Sequence, residues 1–257
     1  MKKKIIALCL VICLLAIAVV GGTMAYLMDS DAKANTMTMG SVDIEQIEQE
    51  RGANGQLVDF NQSHPLFPAV FTGSFLPYAP AADWVVPNDE AWKIVEENEN
   101  VLDKFVTVEN IGKSAAYIRT IVLYEGDVTY GPHGAYIHVV HNGDNAKLST
   151  PIDIEELGYV TIKGTTYTIF CYTYQDALAA GATSIPSLKQ VYMNKAATND
   201  VVAHYGTDYD ILVLSQAVQT AGFDSAADAL NTAFGAVNAT NVATWFDGIA
   251  PDHTVNP

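Results

Sequence analysis

The chain has 257 residues, 49% of them hydrophobic, with 29 acidic side chains against 13 basic ones and a formal charge of −16 at pH 7. That length suffices for one sizeable buried core, and a surface so negative excludes nucleic acid as a natural partner and disfavours anionic membranes. Two of the three cysteines, Cys9 and Cys13, fall near the N-terminus and only Cys171 lies beyond, so a disulfide framework is excluded as the source of stability.

Lys2, Lys3 and Lys4 precede an apolar run from Ile5 to Val20, and the small residues Gly21, Gly22 and Thr23 follow. This is the three-part layout of a secretory signal. The run has 16 residues, against the ~20 of a membrane-spanning helix, so cleavage is expected rather than anchoring. Small side chains at Thr23 and Ala25 place the cut between Ala25 and Tyr26. The chain then divides into a signal peptide, 1–25, and a single domain, 26–257. Losing three lysines leaves ten basic residues against 29 acidic ones, a charge of −19. Acid, salt or divalent cations that weaken this repulsion should favour self-association wherever an adhesive edge exists. Leu8 and Ile12 stand before Cys9 and Cys13, where a lipoprotein cysteine needs a small residue. The chain stops at Pro257 after a polar run, with neither an apolar tail nor an LPxTG motif, so no covalent tie to the wall is expected, and no membrane partner after cleavage.

Beyond the signal the pattern is that of strands. "ANTMTMG" and "SVDIEQI" alternate apolar with polar residues, and Gly40 between them suggests a bend. The stretch 61–92 is an insert rich in proline and aromatics, among them Phe67, Phe71, Phe75, Tyr78, Trp84 and Trp92. Its prolines argue against a helix or a central strand and for an extended loop packed by its own rings. A short helix is expected around Asp89 to Glu96. "KFVTVEN" and "AAYIRTIVLYEG" are two strong strands joined by the turn chemistry of Asn110 and Gly112, forming a hairpin or a crossover between sheets. "GYVTIKGTTYTIFCYTY" is a second unit turning at Lys163-Gly164, with Tyr167, Ile169 and Cys171 on one face and Phe170, Tyr172 and Tyr174 on the other. "SLKQVYM" and the nearly all-apolar "YDILVLSQAV" add two strands, the latter expected to be central. The period then changes to 3.6: Ala226, Ala229, Leu230, Ala233 and Phe234 form one helical stripe, with Asp224 or Ser225 as cap and Gly235 as stop. Many short strands and few helices indicate an all-β, antiparallel sandwich with one or two short C-terminal helices.

Few residues suggest chemistry. No HExxH zinc motif occurs, and "HGAYIHVVHNGD" holds three of the six histidines. If 136–140 form a strand, His138 and His141 point to opposite faces and converge on a metal only if a turn begins at His141. Asp29 and Asp31 alternate in "DSD", a possible divalent-cation pair, but the glycine and distal glutamate of a calcium loop are missing. No serine has a nucleophile setting such as GxSxG. Cys171 reads as a small buried hydrophobe, and Arg119 as a structural residue paired with a carboxylate.

Four stretches, "GGTMAYLMDSDAKANTMTMGSVDIE", "FVTVENIGKSAAYIRTIV", "GATSIPSLKQVYM" and "YDILVLSQAVQTAGF", together resemble the TasA/camelysin family of exported proteins of Gram-positive-type bacteria. The first looks like the junction cut by signal peptidases of the SipW type. The resemblance implies a jelly-roll-like β-sandwich, secreted to the extracellular matrix or cell surface, that acts as a biofilm fibre subunit. Its implied partners are further copies of itself, other matrix components and the processing peptidase. In such fibres the N-terminal segment of one subunit completes the sheet of the next, and here the donor would be residues 26–39, with Tyr26, Met28, Met37 and Met39 as docking side chains. The other reading of that segment is that it folds back on its own sheet or stays loose. The insert 61–92 and the "ILVLSQAVQTAGF" tail depart from TasA itself. A structural, non-enzymatic role without a cofactor is the first expectation. A camelysin-type metallopeptidase and an adhesin or glycan-binding module are the alternatives.

Overall fold

The computed structural model of the protein describes residues 28–31, 42–61, 68–69, 75–77, 93–95, 101–126, 137–141, 152–194, 197–199 and 209–251. Fourteen strands and two long-enough helices are found among them. The signal segment, Ala25, Tyr26, Met37, Met39, Trp84 and Trp92 lie outside the described residues.

The main sheet has five antiparallel strands in the order β1 (Met28–Asp31), β14 (Ile211–Gln219), β9 (Ala116–Glu125), β12 (Thr165–Tyr174) and β11 (Ile152–Ile162). Its central strands are apolar on both faces because both faces are covered. Ile118, Val122, Tyr124, Phe170, Tyr172, Val213 and Ala217 face a second layer of strands. Ile121, Leu123, Tyr167, Ile169, Cys171, Leu212 and Leu214 face the C-terminal helices. The division between Tyr167, Ile169 and Cys171 on one side and Phe170, Tyr172 and Tyr174 on the other is the expected one, since strand side chains alternate.

The second layer begins with β3 (Leu57–Asp59), β2 (Ile44–Arg51) and β8 (Phe105–Asn110). Main-chain bonds from Lys104, Ser184 and Ser187 then join β8 to the chain leading into β13 (Leu188–Asn194). On its far side β13 pairs with β10 (Ile137–His141). Two short strands, β4 (Pro68–Ala69) and β7 (Leu102–Asp103), pair with β13 as well. β8 and β9 thus belong to different layers, and the Asn110–Gly112 turn is a crossover between sheets rather than a hairpin. Asn110 is fully buried and holds the corner with its side chain: Oδ1 accepts from the Gly112 amide at 3.0 Å, and Nδ2 donates to the carbonyls of Ser114 and Leu178 at 2.9 Å.

β11 and β12 form the expected hairpin through Lys163 (φ 50°) and Gly164 (φ 91°), the positive-φ pair of a type I′ turn. β11 carries an extra residue between Glu156 and Tyr159, where Gly158 has φ 81°. That bulge reverses the alternation. Ile152 packs in the sandwich core, whereas Val160 and Ile162 pack on the helix side.

The change of period near the end is helical as expected. Helix α1 (Ala226–Phe234) is capped by Ser225, whose hydroxyl accepts from the Asp228 amide at 3.2 Å, and it stops at Gly235 with φ 89°. Ala226, Ala229 and Leu230 pack on Val218 of β14. A second helix, α2 (Ala239–Phe246), is capped by Asn238 and buries Val242 and Phe246 against β11, β12 and β14. The molecule is an all-β sandwich with two short C-terminal helices laid over the outer face of its larger sheet.

Two local expectations are overturned. The segment expected to be helical around Asp89 to Glu96 contains strand β6 (Lys93–Val95), paired with β5 (Phe75–Pro77), and Ile94 is buried. The β-branched pair Ile94-Val95 prefers a pleated partner. Parts of the insert 61–92 are likewise strand rather than loop, β4 running parallel to β13 and β5 paired with β6.

Candidate assembly edge

β14 begins the site. Its sequence, "ILVLSQAVQ", is buried over its seven inner positions. The carbonyl of Asp210, just before it, accepts from the Glu125 amide of β9. Main-chain polar groups alternate sides along a strand, so the even residues of β14 turn theirs toward β9 and the odd ones, 211 to 219, turn theirs outward. On that outward side lies β1, with Met28 opposite Val218, Asp29 opposite Ala217, Ser30 opposite Gln216 and Asp31 opposite Ser215. The N-terminal segment is therefore paired within its own chain, at the margin of the main sheet. The four residues of β1 pair with Ser215 to Val218, four of the nine residues of β14.

Where β1 ends, a side chain takes over. Gln46 of β2 reaches across the open side of the sandwich. Its Oε1 accepts from Ser215 Oγ at 2.9 Å, and its Nε2 donates to Glu48 Oε1 at 3.1 Å and, in a long contact of 3.5 Å, to the Val213 carbonyl. Ser215 is fully buried and its hydroxyl lies 3.2 Å from that of Thr120. This polar row is built into a core otherwise lined by Val42, Ile44, Val213 and Ala217.

Two clusters hold the surroundings in place. Arg51 forms a two-point ion pair with Asp103, and the Gln190 amide donates to the same carboxylate at 2.8 Å. Lys104 pairs with Glu48 at 2.5 Å and lies 4.0 Å from the centre of the Phe60 ring. These ties join β2, β7 and β13 beside the Gln46 crossing. On the opposite face of the main sheet Arg119, 2% exposed, pins the end of α1. Its guanidinium donates to Gln216 Oε1 (2.7 Å), Asn231 Oδ1 (2.9 Å) and the Gly235 carbonyl (2.9 Å), and it lies against the Phe234 and Trp245 rings. The carboxylate expected for Arg119 is thus replaced by amide and carbonyl oxygens, the C-terminal end of a helix being a natural seat for a cation. Burial pulls its pKa down, and nearby Cys171 partly offsets this.

The residues considered for chemistry do not assemble. His138 stacks on Tyr192 with ring centres 5.2 Å apart, and burial lowers its pKa. His141 turns to the other face, against Phe170 and Tyr172 in the sandwich core. Alternation along β10 is kept because the irregularity falls on β13, where Lys189 is the extra residue between the His141–Leu188 and Val140–Gln190 pairs. The two histidines therefore stand on opposite sides of one strand. Asp29 and Asp31 stand at alternate positions of β1, in register with Ala217 and Ser215. Among the described residues no three His, Cys, Asp or Glu side chains lie together as metal ligands. Cys171 is buried and unoxidised, its thiol pKa pushed up by burial. The Tyr174 hydroxyl, buried and donating to the Ile185 carbonyl at 2.9 Å, is pushed up to about 12 by burial.

Fold and site define a two-layered β-sandwich with a helical cover and a short N-terminal strand laid on one margin of its main sheet. A scan against family models and searches of curated proteins and of solved structures return no match for this chain.

Proposed function

We propose that this chain is a secreted structural protein of the extracellular matrix, a fibre subunit of the TasA/camelysin type, whose N-terminal strand passes from its own β14 to the β14 of another copy. The observation that carries this reading is the place of β1: four residues held at the margin of the main sheet, antiparallel to β14. A strand attached by one edge can leave and be replaced by the same segment of a neighbour with identical pairing, so exchange requires no new interface chemistry. Such a contact is head-to-tail and grows a filament unless it closes into a ring. Export, processing after Ala25 by a SipW-type peptidase and an acidic surface that spaces the copies belong to the same proposal.

The test is direct. Protein harvested from a producing cell should begin at Tyr26 and form filaments, visible by electron microscopy, on acidification or at high concentration. Deletion of 26–39 should leave folded particles that do not elongate. Monomers persisting under all of these conditions would remove the fibre reading.

A further inference from the structure

We infer that Gln46 is an end stop that sets the register of the N-terminal strand on β14. Its bearing on assembly rests on the strand-exchange proposal above, but the register claim holds whether the strand belongs to the same chain or to another.

The need for a stop follows from the strand's own sequence. Met28-Asp29-Ser30-Asp31 carries aspartate at alternate positions. A one-residue slip would exchange the positions of Met28 and Ser30 with those of the two aspartates and so changes the pattern of the strand. A two-residue slip preserves the faces, and here it sets aspartate where aspartate stood before. In the observed register Asp31 faces Ser215. Slipped by two toward the start of β14, Asp31 would face Val213 and Asp29 would face Ser215. The pattern of the strand barely distinguishes the two, so discrimination has to come from the groove.

Gln46 supplies it. The next outward main-chain carbonyl past Ser215 is that of Val213, and Gln46 Nε2 reaches it from the other layer at 3.5 Å. The Ser215 hydroxyl, held in turn beside Thr120, fixes which end of the amide points there through its 2.9 Å bond to Oε1. A slipped strand would have to dislodge that amide and separate the half-buried Gln46 from Ser215, leaving the buried Ser215 hydroxyl with Thr120 alone. The observed register ends one step short of the amide and disturbs neither.

The experiment uses full-length chains in which Cys9, Cys13 and Cys171 are replaced by alanine. Asp29→Cys with Ala217→Cys reports the observed register, and Asp31→Cys with Val213→Cys reports the slipped one. Directly opposed Cα atoms lie about 4.5–5.5 Å apart, within reach of a disulfide. Both pairs alter side chains only, so the Val213 main-chain carbonyl and the Gln46 amide remain to compete. With Gln46 present, the first pair should oxidise readily and the second should not. Gln46→Glu keeps the acceptor for Ser215 but loses the donor to Val213, and Gln46→Leu removes both. Each should raise the slipped cross-link at least tenfold. A slipped cross-link indifferent to residue 46, or an in-register pair that fails to form with Gln46 present, would overturn the inference. Loss of both cross-links in the variants would overturn it too, by making Gln46 a requirement for docking instead of register. Whether the disulfides join one chain or two, read on a non-reducing gel, decides strand exchange separately. Disulfides confined to single chains under assembling conditions, in protein that begins at Tyr26, would remove the fibre proposal and leave the register claim standing.

Discussion

Arg119 shows how a residue visible in the sequence can take a role that the sequence does not disclose. A cation in mid-strand of so acidic a chain suggests a carboxylate partner, yet its guanidinium donates to Gln216, Asn231 and the carbonyl of Gly235, the residue that ends α1. Asn231 and Gly235 are more than a hundred residues away, beyond the reach of any local pattern. Arg119→Met should lower stability by about 3 kcal/mol, the scale of losing charged hydrogen bonds and leaving buried oxygens unmet, and urea unfolding would measure it. Arg119→Lys should recover only part, because an ammonium cannot span three acceptors with the fork of a guanidinium. His138 offers a pH test. Burial holds its folded pKa below the ordinary value near 6.5, so the unfolded chain binds the proton first as pH falls. Its neutral stacking on Tyr192 is undisturbed above that value, and stability should decline as pH drops from there through the folded pKa. His138→Phe should flatten that part of the stability profile in denaturant titrations between pH 7 and pH 4.

At the level of elements, the sequence was most legible where chain neighbours decide the outcome. The Lys163-Gly164 hairpin, the stripe of α1 and its Ser225 cap rest on turn chemistry and on periods of 2 and 3.6, all read within a dozen residues. Gly164→Ala should cost about 1 kcal/mol or more in thermal unfolding, since φ 91° suits no side chain. Legibility failed where a distant partner decides. The turn chemistry at Asn110 leaves hairpin and crossover open, and only the pairing of β8 with β2 and of β9 with β12 and β14 shows that the corner joins two layers. Lys93–Val95 looked helical but finds a strand partner in Phe75–Pro77. Gln46 gave no signal at all. It sits in an alternating strand like any inward polar residue, and its importance depends on Ser215 and Val213, which lie far along the chain.

For the whole molecule, the two margins of the main sheet are unlike each other. One carries the short β1. The other is β11, eleven residues long, bulged at Gly158 and lined by exposed Asp153, Glu155 and Glu156. Bulges and charges are the usual means by which an edge strand refuses company. Replacing those acids with Asp153→Asn, Glu155→Gln and Glu156→Gln should leave the fold intact but yield laterally fused bundles or sheets in the electron microscope at neutral pH. Under the proposed strand exchange the parent protein should give separate threads. Under the proposed exchange each copy lends a strand to one neighbour and takes one from another, which gives the row of copies a polarity, while the charged flank keeps rows apart. Copies joined that way would lengthen in single file, each new arrival facing the same way as the last, and would not spread into a raft.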